Sequence, residues 1–171
     1  VPQLLAHDGH RVLLAEVPGE DRYGVTGTEL RAMVDVLAAL QARWISRIDV
    51  LEAAGMTDWR VDALAMRFDD VLQRHGADLD PADVDALRRL RAQWPALWAE
   101  VQACGLPDTL VHGDAFPGNF RRRTDDPAAP PVLLDWGDSG IGHPLLDQAA
   151  FLDRIAPADV PAVRAHWSAA W

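Results

Sequence analysis

Two short segments in the last third of the chain carry the side chains that could do chemistry. The first, residues 112–119, reads HGDAFPGN, and the second, residues 133–147, reads LLDWGDSGIGHPLLD. They contain Asp114, Asn119 and Asp135, and each segment lies at a predicted strand-to-loop junction, where reactive groups are usually presented. A carboxylate can accept the proton of a hydroxyl during phosphoryl transfer to an alcohol. An amide oxygen and a second carboxylate are ligands that suit Mg²⁺, so the spacing predicts a phosphoryl-transfer site.

Other interpretations of the same residues are open at this stage. Asp114 alone could be a loop-capping aspartate, but Asn119 and the Asp135 segment favour a functional role. A non-catalytic module that binds a nucleotide or a metabolite would keep part of the same pattern. A metal-dependent hydrolase could instead use His112, Asp114, Asp135 and His143, although the asparagine fits that chemistry poorly.

Composition limits the possible function classes. The 171 residues, of which 49% are hydrophobic, are enough for one domain, or for one large domain and part of another. The formal net charge of −10 argues against binding to nucleic acid or to anionic membranes. The only cysteine, Cys104, excludes an internal disulfide, and we expect it to be buried as a small apolar residue. All 16 basic residues counted as lysine or arginine are arginines.

The elements that must position the site are predicted from turn signals and periodicity. Asp8-Gly9 predicts a hairpin of strands 3–6 and 11–17, which we expect to be the edge of a larger sheet. Thr26 or Thr28 is expected to cap a long helix that ends at Gly55. Further elements are predicted as helices over 59–75, 80–104 (broken or kinked at Pro95), 144–155 and from 157 onward, a buried strand at 109–112, and a hairpin of 120–122 with 132–135 around the loop 124–131. The tryptophans at 44, 94 and 98 are expected to belong to the core.

The order His-Gly-Asp, four residues, Asn, then Asp-Trp, Gly-x-Pro and Asp-x-Ala resembles the aminoglycoside phosphotransferase family of small-molecule kinases. The resemblance implies an α+β, protein-kinase-like fold with a mostly helical large lobe and short β-hairpins around the catalytic loop. It also implies that Asp114 is the catalytic base and that Asn119 and Asp135 hold magnesium. Asp147 would be the buried carboxylate that steadies the catalytic loop, and His112 would support the same loop.

The resemblance also suggests a domain division. Residues 1–19 would be the last hairpin of the small lobe and the hinge, where backbone groups of Glu16 and Val17 meet the adenine edge. Residues 20–171 would be the helical C-terminal lobe, truncated at its end, with most of the small lobe absent. Family members place a lysine on the nucleotide phosphates, and these 171 residues contain none. We therefore expect this chain alone to bind magnesium-nucleotide weakly and to have negligible transferase activity.

The same resemblance implies ATP or GTP and Mg²⁺ as cofactors and a small-molecule hydroxyl as acceptor. A cationic amino sugar is one candidate acceptor, because acidic residues cluster at 69, 70, 78, 80, 83 and 85. Surface charge and helix capping explain that cluster better. We expect a cytoplasmic protein without nucleic-acid or membrane partners, and the sequence leaves its oligomeric state open.

Overall fold

The computed structural model describes residues 2–123, 126 and 128–171. Short strands and longer helices are mixed along these residues, as the predicted α+β class requires. The helices are α1 (Thr28–Trp44), α2 (Ile48–Ala53), α3 (Val61–His75), α4 (Pro81–Gln102), α5 (Leu145–Asp153) and α6 (Val160–Ala170). The strands are β1 (Leu4–His7), β2 (Val12–Leu14), β3 (Gly19–Asp21), β4 (Thr57–Asp58), β5 (Thr109–Val111), β6 (Phe120–Arg123), β7 (Val132–Leu133) and β8 (Gly140–Gly142).

A three-stranded sheet in the order β4-β8-β5 positions the candidate site. β8 runs parallel to β4 and antiparallel to β5, and it pairs Gly140 with Val111 and Gly142 with Thr109. One end of this sheet therefore leads into the 112–119 loop. The opposite end leads into residues 143–144 on one strand and receives residues 107–108 on another.

A second sheet, in the order β3-β6-β7, joins the loop after β5 to the segment that contains Asp135. β6 and β7 pair antiparallel, which confirms the hairpin predicted around residues 120–135. Part of the predicted loop at 124–131, namely Thr124, Asp125 and Pro127, lies outside the described residues. Because β6 begins directly after Asn119, this hairpin places Asn119 next to the residues that follow β7.

The main core lies between α1, α6 and the β6–β7 hairpin. The apolar stripe of α1 is buried, including Leu30, Met33 and Leu37. It packs with aromatic side chains of α5 and α6, where Phe151 and Trp167 meet edge to face with ring centroids 5.6 Å apart. Burial of large apolar side chains is the dominant stabilising contribution to such a fold. Within the described ranges no helix combines the length and hydrophobicity needed to cross a membrane.

The N-terminal hairpin differs in part from the prediction. β1 and β2 pair antiparallel, as expected, but β2 ends at Leu14 rather than reaching Val17. Within the described residues this pair forms a separate two-stranded sheet, and all of its residues are exposed. The expected larger sheet is thus not found in this part of the chain.

The start of α1 and its predicted length need correction. The N-cap is Gly27, not Thr26 or Thr28, and no side chain caps this helix. Gly27 has a φ of +60°, a conformation that glycine adopts without penalty, and its backbone amide donates to Asp159 at 3.3 Å. The helical stretch also ends at Trp44, and a 3₁₀ turn over Ile45–Arg47 separates it from α2. The left-handed Gly55 follows α2, as the sequence suggested.

α4 begins as predicted but is not broken at Pro95. Asp80 caps it, accepting from the amide of Ala82 at 2.8 Å, with Pro81 in the first turn. Helix continues from Pro81 to Gln102, because a proline removes only one hydrogen bond from a helix of 22 residues. Cys104 is exposed rather than buried. The tryptophans that the sequence assigned to the core are only half-buried: 44, 94 and 98.

Candidate active site

His112 links the two loops that carry the predicted catalytic residues. The side chain is buried at the end of β5. Its Nε2 donates to the carbonyl of Leu134 at 2.7 Å, and its Nδ1 accepts from the amide of Asp114 at 3.3 Å. Both ring nitrogens are therefore used inside the protein. This arrangement orients the backbone on either side of the site, and His112 has no nitrogen left to bind a metal.

The side chain of Asp147 binds the backbone at the start of the 112–119 loop. Its fully buried carboxylate accepts from the amides of His112 at 2.9 Å and Gly113 at 2.8 Å. Burial raises the pKa of Asp147, and the two amide hydrogen bonds oppose that rise by favouring the ionised form. The carboxylate of α5 thus fixes the conformation in which β5 passes into the loop.

Gln41 is a contributor to this arrangement that the sequence reasoning missed. It is fully buried on α1, and its Nε2 donates to the Asp147 carboxylate at 2.8 Å. Its backbone carbonyl accepts from the hydroxyl of Thr109, at the start of β5. The available signal was a polar residue four positions after Leu37, inside the apolar stripe of α1. A buried polar group in such a stripe requires a partner.

Asp114 and Asn119 face each other across a short turn. The turn contains a single 3₁₀ segment, Pro117–Asn119. The Nδ2 of Asn119 donates to the backbone carbonyl of Asp114 at 2.9 Å and to its Oδ2 at 3.3 Å. Because the amide nitrogen makes both contacts, the amide oxygen of Asn119 points to the other side and is available to a ligand.

Asp135 lies beside this pair on the neighbouring segment. The amide of Leu134 donates to the carbonyl of Asn119 at 2.8 Å, which brings the two loops together. Asp135 has a φ of +56°, the only left-handed non-glycine value among the described residues, and its side chain is exposed. The carboxylate of Asp135 forms no hydrogen bond or ion pair with any of the described residues. Such a strained backbone position is often found at functional sites.

The donor set suits a hard cation. The amide oxygen of Asn119 and the carboxylate of Asp135 are both oxygen ligands, and neither has a hydrogen-bond or ion-pair partner among the described residues. Mg²⁺ takes oxygen ligands and usually only one or two protein side chains, with waters and phosphates completing its shell. These residues therefore fit Mg²⁺.

A histidine-based metal centre does not fit this geometry. His143 follows β8 at the end of the sheet opposite the 112–119 loop, so it is not brought to Asp114 or Asp135. Across the described ranges, no group of three His, Cys, Asp or Glu side chains could hold a metal ion. The alternative of a hydrolase that uses His112 and His143 is therefore wrong.

The two predicted nucleotide contacts lie between β2 and β3. Glu16 is exposed and Val17 is half-buried. The carbonyl of Val17 accepts from Nη1 of Arg121 at 3.3 Å, and Arg121 lies on β6, two residues after Asn119. The β3–β6 pairing thus connects the predicted hinge to the strand that follows the 112–119 loop.

A cavity of about 250 Å³ lies against the 112–119 loop. Its walls include Gly113, Trp59 and Asp138, together with apolar side chains of β5, α3 and α5. Gly113 has a φ of +86°, and a Cβ atom there would lie 2.3 Å from the carbonyl oxygen of Asp138. Only glycine therefore permits this close approach of the two loops beside the cavity.

Comparisons with known proteins agree with this architecture. The sequence profile described as the phosphotransferase enzyme family matches residues 1–171. No curated protein sequence matches the chain.

The similar solved structures include macrolide and aminoglycoside phosphotransferases. The macrolide 2'-phosphotransferase of Brachybacterium faecium has a TM-score of 0.66 and 19% identity, with 99% of this chain and 58% of that chain covered. A type I macrolide 2'-phosphotransferase has a TM-score of 0.69 and 16% identity, with 99% and 57% covered. An aminoglycoside phosphotransferase of Streptomyces rimosus, in complex with ADP and streptomycin, has a TM-score of 0.64 and 18% identity, with 99% and 67% covered.

These likenesses confirm the predicted kinase-like α+β fold. The chain spans less than two thirds of the length of the two macrolide enzymes. Because the family profile matches the whole of the chain, this protein belongs to the phosphotransferase enzyme family.

Proposed function

We propose that these residues form the catalytic part of a small-molecule kinase that transfers the γ-phosphoryl group of a nucleotide to a substrate hydroxyl. The observation that carries the proposal is the contact between Asn119 and Asp114, with Asp135 held beside them through Leu134. A base and two oxygen ligands on adjacent loops are what this reaction requires of a protein.

Asp114 is the proposed base. Its carboxylate would accept the proton of the attacking hydroxyl, while the hydrogen bond from Asn119 keeps it oriented. The support of the loop by Asp147 and His112 would limit its motion, since small displacements of a catalytic group are costly in rate.

Asn119 and Asp135 are the proposed magnesium ligands. When bound, Mg²⁺ would neutralise charge on the nucleotide phosphates and on the transferring group. Asn119 would contribute its amide oxygen, since its amide nitrogen is already used on Asp114. Asp135 would contribute the carboxylate that no other group of the described chain engages.

The nucleotide is proposed to be ATP or GTP, with its base against the backbone at Glu16 and Val17. In this division residues 1–19 belong to the small lobe and hinge, and residues 20–171 form the catalytic lobe. The hydrogen bond from Arg121 to the carbonyl of Val17 supports this division, because it joins the proposed hinge to the strand that follows the 112–119 loop.

The acceptor is proposed to be a hydroxyl-bearing small molecule that enters beside Gly113. The cavity at Gly113, Trp59 and Asp138 supports this entry route, since Gly113 directly precedes Asp114 and the walls are both apolar and polar. Similar structures are named as macrolide and aminoglycoside phosphotransferases, so rings of these two classes are the first acceptors to test. Most of the acidic side chains at 69–85 form surface ion pairs or a helix cap, so they do not single out a cationic acceptor.

The test uses the protein expressed from its complete gene. ADP release with magnesium-ATP would be followed across macrolides, amino sugars, neutral sugars and amino alcohols. We expect release that depends on one acceptor class. Nucleotide binding without release for any acceptor would instead support the non-catalytic binding module.

Asp135→Ala separates metal binding from the rest of the site. We expect it to abolish the magnesium-dependent part of nucleotide binding measured by calorimetry, while Asp138→Ala, three residues away, keeps most of it. Equal magnesium dependence in both variants would contradict the assignment of Asp135 as a ligand.

A further inference from the structure

Two aromatic rings pack together at the part of the 112–119 loop that Asp147 does not bind. Asp147 binds two backbone amides at the start of the loop. Phe116 lies in the middle of the loop and is half-buried. Its ring centroid is 5.9 Å from that of Tyr23, and the two ring planes are tilted by 51°. Tyr23 belongs to the segment between β3 and α1, so a separate part of the chain contacts this half of the loop.

Both rings also pack against the backbone of Gly118, the residue before Asn119. A Cβ atom at Gly118 would lie 2.4 Å from Cε2 of Phe116 and 2.4 Å from Cζ of Tyr23. No side chain fits in that space, so only glycine lets the two rings approach the backbone this closely. The rings therefore restrain the backbone directly before the proposed magnesium ligand.

Phe116 is connected to Asn119 through the backbone as well. The amide of Asn119 donates to the carbonyl of Phe116 at 2.9 Å, across the 3₁₀ turn Pro117–Asn119. A displacement of Phe116 would therefore move Asn119, whose side-chain oxygen is the proposed ligand. Mg²⁺ requires nearly ideal octahedral geometry, so its affinity is sensitive to the position of each ligand atom.

Arg154 contacts the ring of Phe116 from α5. The central carbon of its guanidinium group lies 4.8 Å from the ring centroid, a distance at which a cation is attracted to an aromatic face. Arg154 follows the last residue of α5, the helix that also carries Asp147. The same helix thus contacts the loop at its start, through Asp147, and at its middle, through Arg154.

We propose that Phe116 is a positioning residue for Asn119, with its ring held by Tyr23 and Arg154. The inference rests on the proposed function, in which Asn119 is a magnesium ligand. Phe116 does not touch the reacting groups and acts only through Asn119. The ring contacts set the conformation of the turn, and the turn sets the position of the amide oxygen of Asn119.

Hydrogen exchange in the metal-free protein, expressed from its complete gene, tests the structural step. Tyr23 is 70% exposed, so we expect Tyr23→Ala to fold. The backbone amide of Asn119 should exchange about tenfold faster in Tyr23→Ala and in Phe116→Leu, while amides of α1 keep the parental rates. Tyr23→Phe keeps the ring and should exchange like the parent protein. Parental exchange at Asn119 in both Tyr23→Ala and Phe116→Leu would overturn the proposal.

Magnesium-dependent nucleotide binding, measured by calorimetry, tests the consequence for the metal. Tyr23→Ala and Phe116→Leu should each weaken the apparent magnesium affinity about tenfold, as expected when the support of a metal ligand is lost. Met66→Ala is the matched control, because Met66 on α3 is 69% exposed and should leave that affinity unchanged. Parental magnesium affinity in both ring variants would overturn the proposal.

Failure of the proposed function would give a different result. The nucleotide binding of the parent protein would then not depend on magnesium at all. The exchange rates of the metal-free variants would still decide whether the two rings position Asn119.

Discussion

At the scale of single residues, the candidate site depends on one buried carboxylate and the groups that satisfy it. Asp147 accepts from two backbone amides of the 112–119 loop and from the side chain of Gln41. The loop conformation that presents Asp114 is therefore tied to α1 as well as to α5. A buried charge is tolerated only when its partners are complete.

Gln41→Met tests this connection. It removes one donor from the buried carboxylate at nearly constant side-chain volume, so we expect a loss of about 1–3 kcal/mol in the free energy of unfolding. We also expect faster hydrogen exchange at the amides of His112 and Gly113. Gln93→Met on the exposed face of α4 is the matched control. Unchanged exchange at those two amides would contradict the role given to Gln41.

The sequence was informative about residues with a characteristic spacing and uninformative about those that only support them. The motif spacing predicted that Asp114, Asn119 and Asp135 belong together, and the structure brings them onto adjacent loops. Gln41 has no motif, and its partner Asp147 is 106 residues away, so only the fold reveals the pair. The contact between Tyr23 and Phe116 is likewise a property of packing and not of sequence.

At the scale of elements, close packing of two loops decides the shape of the site. Gly113, after β5, lies against the backbone of Asp138, before β8. Both loops also meet through His112 and Leu134. A side chain at residue 113 would force them apart.

Gly113→Ala and Gly9→Ala form a matched pair for testing this contact. The two glycines have similar φ values of +86° and +89°, so both substitutions carry the cost of a left-handed alanine, about 1–2 kcal/mol. Only at residue 113 does the new Cβ meet a backbone atom; Gly9 has no neighbour within 4 Å. We expect Gly113→Ala to lower the thermal midpoint clearly more than Gly9→Ala. Equal effects would show that the loops are not in contact.

An ion-pair cluster joins α1, β6 and the segment between β3 and α1, and it predicts a pH dependence. Glu29 in α1 binds Arg22 at 2.6 Å and Arg122 of β6 at 2.7 Å. The hydrogen bond from Arg22, more than any other contact, holds the pKa of Glu29 below its usual value. The cluster's stabilisation is therefore present above the ordinary glutamate pKa of about 4.3 and is lost as pH falls through the lower folded-state value.

Glu29→Gln should therefore reduce the loss of stability on acidification. We expect urea midpoints of the variant to fall less steeply below about pH 4.3 than those of the parent protein. Glu20→Gln on the exposed β3 strand is the control and should keep the parent slope. If the urea midpoints of both variants fall equally steeply with pH, the cluster does not contribute to acid stability.

The helix boundaries were predicted correctly where local sequence signals were strong. They were predicted wrongly where contacts between distant residues determine the boundary. The Asp80-Pro81 start of α4 was correct because capping is local chemistry. The start of α1 was wrong because Gly27 is held by Asp159, which is 132 residues away. Pro95 was expected to break or kink α4, and the helix is not broken there.

At the scale of the whole molecule, the loops of the candidate site lie against a core in which helices α1, α5 and α6 pack together. The α1 stripe, Phe151 and Trp167 are buried by contacts within these 171 residues. Large apolar side chains are exposed on the β1–β2 hairpin, among them Val12 and Leu13, and also in the α3–α4 region, among them Met66 and Leu90. The hairpin that precedes the predicted nucleotide contacts at Glu16 and Val17 thus adds no buried residue to the core.

We therefore expect the 171-residue chain to fold but to transfer phosphate at a negligible rate. It spans 58% of the macrolide phosphotransferase of Brachybacterium faecium, and it has no lysine to place on nucleotide phosphates. Circular dichroism would report a cooperative thermal transition, and an ADP-release assay with magnesium-ATP would report no acceptor-dependent turnover. Robust turnover by this chain would mean that its own residues complete the nucleotide site.

The most direct test of the central claim is the turnover of Asp114→Asn in the protein expressed from its complete gene. Asparagine keeps the size of the side chain but cannot accept the hydroxyl proton. We predict that kcat falls about 10²–10⁴-fold, while the affinity for magnesium-nucleotide stays within about twofold. A kcat equal to that of the parent enzyme would contradict the assignment of Asp114 as the catalytic base.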